Sequence, residues 1–237
     1  MQRRHFIGLS ATGVAGLLFN RVTSASGNNA LLNIPDEVWG QAGTGWFRLI
    51  RTGNASFTYR DVEVTIYPHK NTAGVYVQSP ATALAAVRLK WHHHVGPEIR
   101  LLSDHWERTY GDMAWKTPAP AVKNPWYILL HDEKQTACFG VKTGCSSICW
   151  WAVNPDSLEL TLDTRSGGVG VQLGARKLHA ADIVTTLSTP AENVFKTARR
   201  FCKLMCEHSR LPKQPVYGIN DWYYAYGNNS PRLIKET

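Results

Sequence analysis

Between Trp46 and Leu187 apolar and polar positions alternate in short runs. Val62-Glu63-Val64-Thr65-Ile66 alternates and stops before Pro68. Val87-Arg88-Leu89-Lys90-Trp91 and Leu158-Glu159-Leu160-Thr161-Leu162 repeat the pattern. A period of two sends one face of each strand to a core and the other to water. Such runs, spaced by Gly, Pro, Asn and Asp, predict an antiparallel β-sandwich over residues 27–188. The period then lengthens. Thr189-Pro190-Ala191-Glu192 is a capping-box start, and Val194, Ala198, Phe201 and Met205 recur at helical spacing, with Phe195 and Cys202 widening the stripe. Pro212 ends that helix, so residues 189–212 read as a connector. Beyond it, Pro215 to Gly218 reads as a short strand entering an aromatic, acidic loop, and Ser230-Pro231 supplies an N-cap and first helical position. Strand, loop and helix in that order predict the first unit of a (β/α)8 barrel, cut off within residues 213–237.

The first 25 residues have a different logic. Arg3-Arg4-His5-Phe6-Ile7 opens a mildly apolar run that reaches Phe19, followed by Arg21 and the small residues Thr23-Ser24-Ala25. Charge, apolar run and small residues in that order predict a twin-arginine signal peptide, and hence export to the periplasm or beyond. The run holds 13 residues, whereas a span needs roughly 20. Three of the 26 Lys and Arg lie in this segment and none of the 18 acids, so the remainder carries a net charge of +5. Its basic residues are scattered rather than gathered into a stripe, which argues against a nucleic-acid partner. The five cysteines, Cys138, Cys145, Cys149, Cys202 and Cys206, lack zinc-site spacing and read as buried thiols.

Few residues present themselves as chemistry. At most two of His92, His93 and His94 could share one ion, because successive strand residues face opposite ways, and no carboxylate lies nearby to complete a site. Gly167-Gly168-Val169-Gly170 lacks the Lys and Ser or Thr of a phosphate loop and reads as a hairpin. No metal site or cofactor is expected. The stretch Asp104 to Trp115 concentrates three acids, His105 and three aromatic residues, a density unusual for packing alone.

Three segments together carry a resemblance. Pro215-Val216-Tyr217-Gly218-Ile219-Asn220-Asp221-Trp222-Tyr223-Tyr224-Ala225-Tyr226-Gly227 is similar to the first barrel strand of the retaining α-galactosidases, the melibiase and raffinose-synthase group of glycoside hydrolases. Asp104-His105-Trp106-Glu107-Arg108-Thr109-Tyr110-Gly111-Asp112 resembles a stretch of the β-sandwich that precedes the barrel in that group, and Arg165 to Gly174 is a third match. The resemblance implies the N-terminal part of an exported glycoside hydrolase acting on α-linked galactosides or related sugars, with a carbohydrate substrate and possible homo-oligomers. The paired carboxyl groups that such retaining hydrolysis needs lie on later barrel strands in that group, so no catalytic residue is assigned to this chain. Asp221, Trp222, Asn220 and Tyr224 are the expected substrate contacts on the barrel side, and Trp106 and Asp104 on the sandwich side. The alternative is a β-sandwich module that binds carbohydrate without cleaving it.

Overall fold

The computed structural model describes residue 32, residues 34–106, 113–120, 122–218, 220 and 222–236. Thirteen strands form in chain order. They are β1 (Glu37–Ala42), β2 (Gly45–Arg51), β3 (Ser56–Tyr59), β4 (Val62–His69), β5 (Thr72–Gln78), β6 (Leu84–His92), β7 (Arg100–Ser103), β8 (Asn124–Pro125), β9 (Tyr127–His131), β10 (Thr136–Val141), β11 (Ile148–Asn154), β12 (Ser157–Asp163) and β13 (Leu178–Leu187). The alternating runs are where strands form, but their assembly corrects the expectation of a two-sheet sandwich. All thirteen belong to one antiparallel sheet in the order β7-β9-β10-β13-β5-β4-β3-β2-β1-β6-β12-β11-β8.

That sheet curls until its two ends nearly meet. The chain leaves β8, at one end, and after the single residue Trp126 enters β9, next to the other end. Trp126 spans the seam with its backbone. Its N–H donates to Cys149 O of β11 at 3.2 Å, and its C=O accepts from Val141 N of β10 at 3.1 Å. The end strands themselves are tied by Ser103 Oγ of β7, which donates to Asn124 Oδ1 of β8 at 2.9 Å in a buried contact. Near-closure of this kind satisfies edge groups that would otherwise invite pairing with another chain.

Inward positions from both halves of the curled sheet form one core, with Val38, Leu89, Leu160 and Trp151 from one side and Val64, Val75, Phe139 and Ile183 from the other. Phe139 of β10 meets Trp151 of β11 with ring centroids 6.0 Å apart, so the core is continuous across the seam. Asp61, in the β3–β4 turn, fixes the crossing from β5 to β6. Its carboxylate accepts Ala81 N and Thr82 N at 2.8 Å and Thr82 Oγ1 at 2.5 Å. Those donors, the Thr82 hydroxyl foremost, hold its pKa at about 2.

The expected connector helix is present but shorter, as α1 (Val194–Met205), and it docks on the sheet. Asn193 caps it by accepting from Lys196 N at 2.9 Å. The Thr189–Glu192 pattern instead closes a preceding turn, Glu192 Oε2 accepting from Thr189 N at 3.1 Å. Phe201 is buried against Leu129, Cys138 and Val184, with Ala198 and Met205 beside it. The approach is close because β10 offers Gly140 there: a Cβ on it would lie 2.8 Å from Phe201 Cζ. Phe195 and Cys202, assigned to the apolar stripe, are exposed.

The last residues, His208–Thr237, form a separate compact unit. The barrel-strand expectation fails here. Residues 211–218 form no strand, and the aromatic segment that follows enters a helical turn, α2 (Trp222–Ala225), then α3 (Pro231–Glu236). The physical reason lies in Asn220, whose Oδ1 accepts from Trp222 N at 3.0 Å and so starts a helix where a strand-end loop was expected. With the barrel strand gone, the expected start of a (β/α)8 barrel is absent among the described residues, and those of 215–227 do not form the strand that carried their similarity to the α-galactosidases. Among the described residues no helix is long and apolar enough to cross a membrane, and the expected signal peptide, residues 1–25, lies outside them.

The seam gives a direct test. Asn124→Ala removes the acceptor of Ser103 and the donor that Nδ2 gives to Trp151 O at 3.2 Å and Val122 O at 3.1 Å. Stranded buried partners cost ~1–3 kcal/mol each. The variant should therefore melt several degrees lower by calorimetry, and an unchanged melting temperature would refute the role given to Asn124.

Candidate functional site

On the part of the sheet running β2-β1-β6-β12-β11, the outward positions bring charged and aromatic side chains of five strands onto one face. Core packing dictates which residues these are. Val87, Leu89 and Trp91 of β6 point inward, so Ala86, Arg88, Lys90 and His92 point outward. Leu158, Leu160 and Leu162 of β12 do the same for Glu159, Thr161 and Asp163. Directly paired residues share a face, so the register can be read as rows. One row runs Arg48, Trp39, Arg88, Thr161, Trp150, and a second runs Glu37, Lys90, Glu159, Ala152. A third row brings Trp46, Gln41, Ala86, Asp163 and Ile148 together.

The charges of the second row are laced together. Lys90 Nζ lies 3.8 Å from Glu37 Oε1 and 4.0 Å from Glu159 Oε1. Glu37 also contacts His92 Nε2 at 2.9 Å and accepts the Trp39 indole N–H at 3.0 Å. The His92 contact comes first among the groups that hold the Glu37 carboxyl below its ordinary pKa. Burial opposes it, while Trp39, Lys90 and Arg48 assist. In the third row Asp163 is engaged by its own neighbour Arg165, whose Nε sits 3.0 and 3.1 Å from the two carboxylate oxygens. Burial pushes the Asp163 carboxyl up, but the Arg165 contacts outweigh it and the pKa is lowered.

Arg88 is different. Its guanidinium lies over the Trp46 ring at 4.1 Å. Its Nε is 3.7 Å from Glu159 Oε2, beyond hydrogen-bonding distance, and among the described residues that buried nitrogen has no hydrogen-bond partner.

At the β11 end the face meets a residue expected from the sequence. Trp106 is half exposed and packs edge-on against Trp150, ring centroids 6.2 Å apart, while Lys123 Nζ lies 4.7 Å from the Trp150 ring. Asp104 does not join this surface. It is buried, and its Oδ1 accepts from His105 N at 2.9 Å, which makes it a support of the loop. The rest of that motif, residues 107–112, lies outside the described residues. Of the barrel-side candidates, Asn220 and Trp222 belong to the second unit, where Asn220 caps α2 and Trp222 is exposed. Tyr224 falls within α2, and Asp221 lies outside the described residues.

The three histidines take separate environments. His92 pairs with Glu37, His94 Nδ1 approaches Asp156 at 3.4 Å, and burial lowers the pKa of His93 toward the neutral form. The cysteines divide as well: Cys138 and Cys149 are buried, Cys145 and Cys206 half-buried, and Cys202 exposed. All five are free thiols.

Sequence reasoning missed Trp39, Trp46, Trp150 and Arg88 as site residues. Their signal was present in the polar positions of the alternating runs, but each sits on a different strand, and only pairing across the sheet gathers them.

No protein-family model matches this sequence, and no curated protein matches it. Among solved structures, a protein assigned as an aldose 1-epimerase from Escherichia coli K12 is similar over 59% of this chain and 67% of its own, at 10% identity and a TM-score of 0.32.

The lacing predicts its own acid behaviour. Lys90→Met keeps the apolar stem and removes the charge, so the Glu37 carboxyl should titrate at higher pH than in the wild type. A carboxyl depressed on folding contributes stability above its unfolded pKa and loses it as pH falls through the folded one. The variant should thus be destabilised at pH 7, by about 1 kcal/mol or less for a partly exposed pair, and the difference should shrink as the pH falls below ~4. Carboxyl-carbon NMR titration checks the shift, and an unmoved Glu37 would show that Lys90 is not coupled to it.

Proposed function

We propose that the outward face of β2-β1-β6-β12-β11 is a carbohydrate-binding surface, and that the first unit of this chain is a carbohydrate-binding β module. The observation that carries the reading is the Trp150–Trp106 pair: a strand residue and a loop residue converge at the edge of a face already set with Trp39, Trp46 and half-buried polar groups. Sugars offer apolar ring faces and a rim of hydroxyls. A surface for them needs flat aromatic area beside fixed donors and acceptors, and this face supplies both.

Rigidity supports the reading. The outward residues stand on paired strands whose opposite faces are locked in the core, so the ligand would meet groups already in place. Glu37, Lys90 and Glu159 hold one another at fixed positions, and each retains capacity to bond a hydroxyl, since a carboxylate accepts at about four sites and an ammonium donates three.

Trp150→Ala and Trp106→Ala test the proposal in the full chain, with tryptophan fluorescence and calorimetric titration against a panel of soluble oligosaccharides. Each variant should weaken binding roughly tenfold or more, which corresponds to ~1.4 kcal/mol. Trp106→Ala should leave the melting temperature nearly unchanged, because that side chain is half exposed. Undiminished sugar binding by both variants would count against this face, and an absence of binding by the wild type across the panel would count against the function.

A further inference from the structure

Resting on that reading, we infer that the ligand is an acidic carbohydrate and that Arg88 takes its carboxylate: the face is built for uronic-acid-bearing chains rather than neutral ones. Three observations converge on Arg88.

The first is its position. Arg88 stands on β6, with Trp39 paired to it on one side and Thr161 on the other. It is therefore at the middle of the row that ends in Trp150. Adjacent strands lie ~4.8 Å apart, so Trp150 is about 10 Å away across β12. A sugar ring whose carboxylate meets Arg88 leaves room for a neighbouring ring to reach the Trp150–Trp106 pair.

The second is the state of the guanidinium. The guanidinium carbon lies 4.1 Å from the centre of the Trp46 ring, a cation–π contact that uses none of its N–H donors. Glu159 lies too far to accept from Nε, and that nitrogen is buried with no acceptor among the described residues. A buried donor without a partner is costly. The side chain as a whole is nevertheless 34% exposed. Planar guanidinium and planar carboxylate match through two parallel hydrogen bonds.

The third is the balance of charge around it. Glu37 is engaged by His92, Trp39, Lys90 and Arg48, Glu159 by Lys90 and Arg88, and Asp163 by Arg165. Five cations, Arg48, Arg88, Lys90, Lys123 and Arg165, thus face three acids. Arg48 stands beside Trp39, and Lys123 lies over Trp150 at the far end, which extends the positive character along the row. An anionic chain lying on this face would meet a cation at the start, the middle and the end.

The test compares three uronate polymers, polygalacturonate, alginate and glucuronoxylan, each with its own methyl ester. The ester keeps the sugar and removes the charge. By calorimetric titration of the full chain, at least one acid form should bind ten or more times tighter than its ester. Arg88→Gln should abolish the preference, so that acid and ester bind alike. Arg88→Lys should recover only part of the preference, since an ammonium is a point charge without the fork. Acid and ester binding equally well would overturn the inference while the carbohydrate-binding reading stands. Binding of neither form, with neutral oligosaccharides bound, would do the same. A sulfated neutral polymer bound as tightly as the uronates would overturn the carboxylate assignment. No carbohydrate bound at all would remove both readings.

Discussion

Asn124 and Trp126 sit where the two ends of a thirteen-stranded sheet come together, and the remainder of the structure depends on that seam. The Asn124 side chain accepts from Ser103 of the opposite end strand and donates to Trp151 O and Val122 O. Trp126, with φ at +63°, turns the chain from one end of the sheet to the other in a single step. That backbone region disfavours a side chain bearing a Cβ, and the hydrogen bonds to β10 and β11 on either side hold it there. Closing the sheet encloses one core, and enclosing one core decides which way every side chain of the flanking strands must point.

From that decision the candidate face follows. On β6 and β12 the inward positions are Val, Leu and Trp without interruption, so the intervening Arg88, Lys90, Glu159 and Thr161 are forced to a common surface. A slip of one residue by either strand would exchange its two sets and turn its polar side chains toward the core. The site is thus as stable as the core behind it. The loop between β7 and β8 starts and ends at the seam and brings Trp106 onto Trp150. Closure and function share the same residues' neighbourhood: Trp151 packs the core under the seam, and its neighbour Trp150 faces outward as the aromatic anchor.

The strands were legible in the sequence because alternation is a local property; Val62–Ile66, Val87–Trp91 and Leu158–Leu162 all lie within strands. Their partners were not. β1 pairs with β6 and β6 with β12, contacts between segments far apart in the chain, and no local pattern states such pairings. Two sheets face to face and one sheet curled on itself place the same residues inward, so alternation cannot tell them apart. The helix starts show a related ambiguity. Thr189 and Asn193 are both good caps, and Asn193 took the role while Glu192 was drawn into contacts with Thr189 and Arg200. At Asn220 the same residue type that suits a polar loop after a barrel strand instead caps α2. Trp106 was visible as a site residue through the density of its motif. Arg88 was not, because its meaning comes from Trp46, Glu159 and Trp39 on three other strands.

The most direct measurement is an NMR titration of the full chain with a bound oligosaccharide, following the nine tryptophan indole N–H signals. The account predicts that Trp39, Trp46, Trp106 and Trp150 shift, together with amides of β1, β6, β12 and β11. The core residues Trp91 and Trp151 should hold still, being 5% and 0% exposed. Shifts confined to Trp222, or to the Tyr67, Tyr76 and His179 cluster on β4, β5 and β13, would place the ligand elsewhere and contradict it.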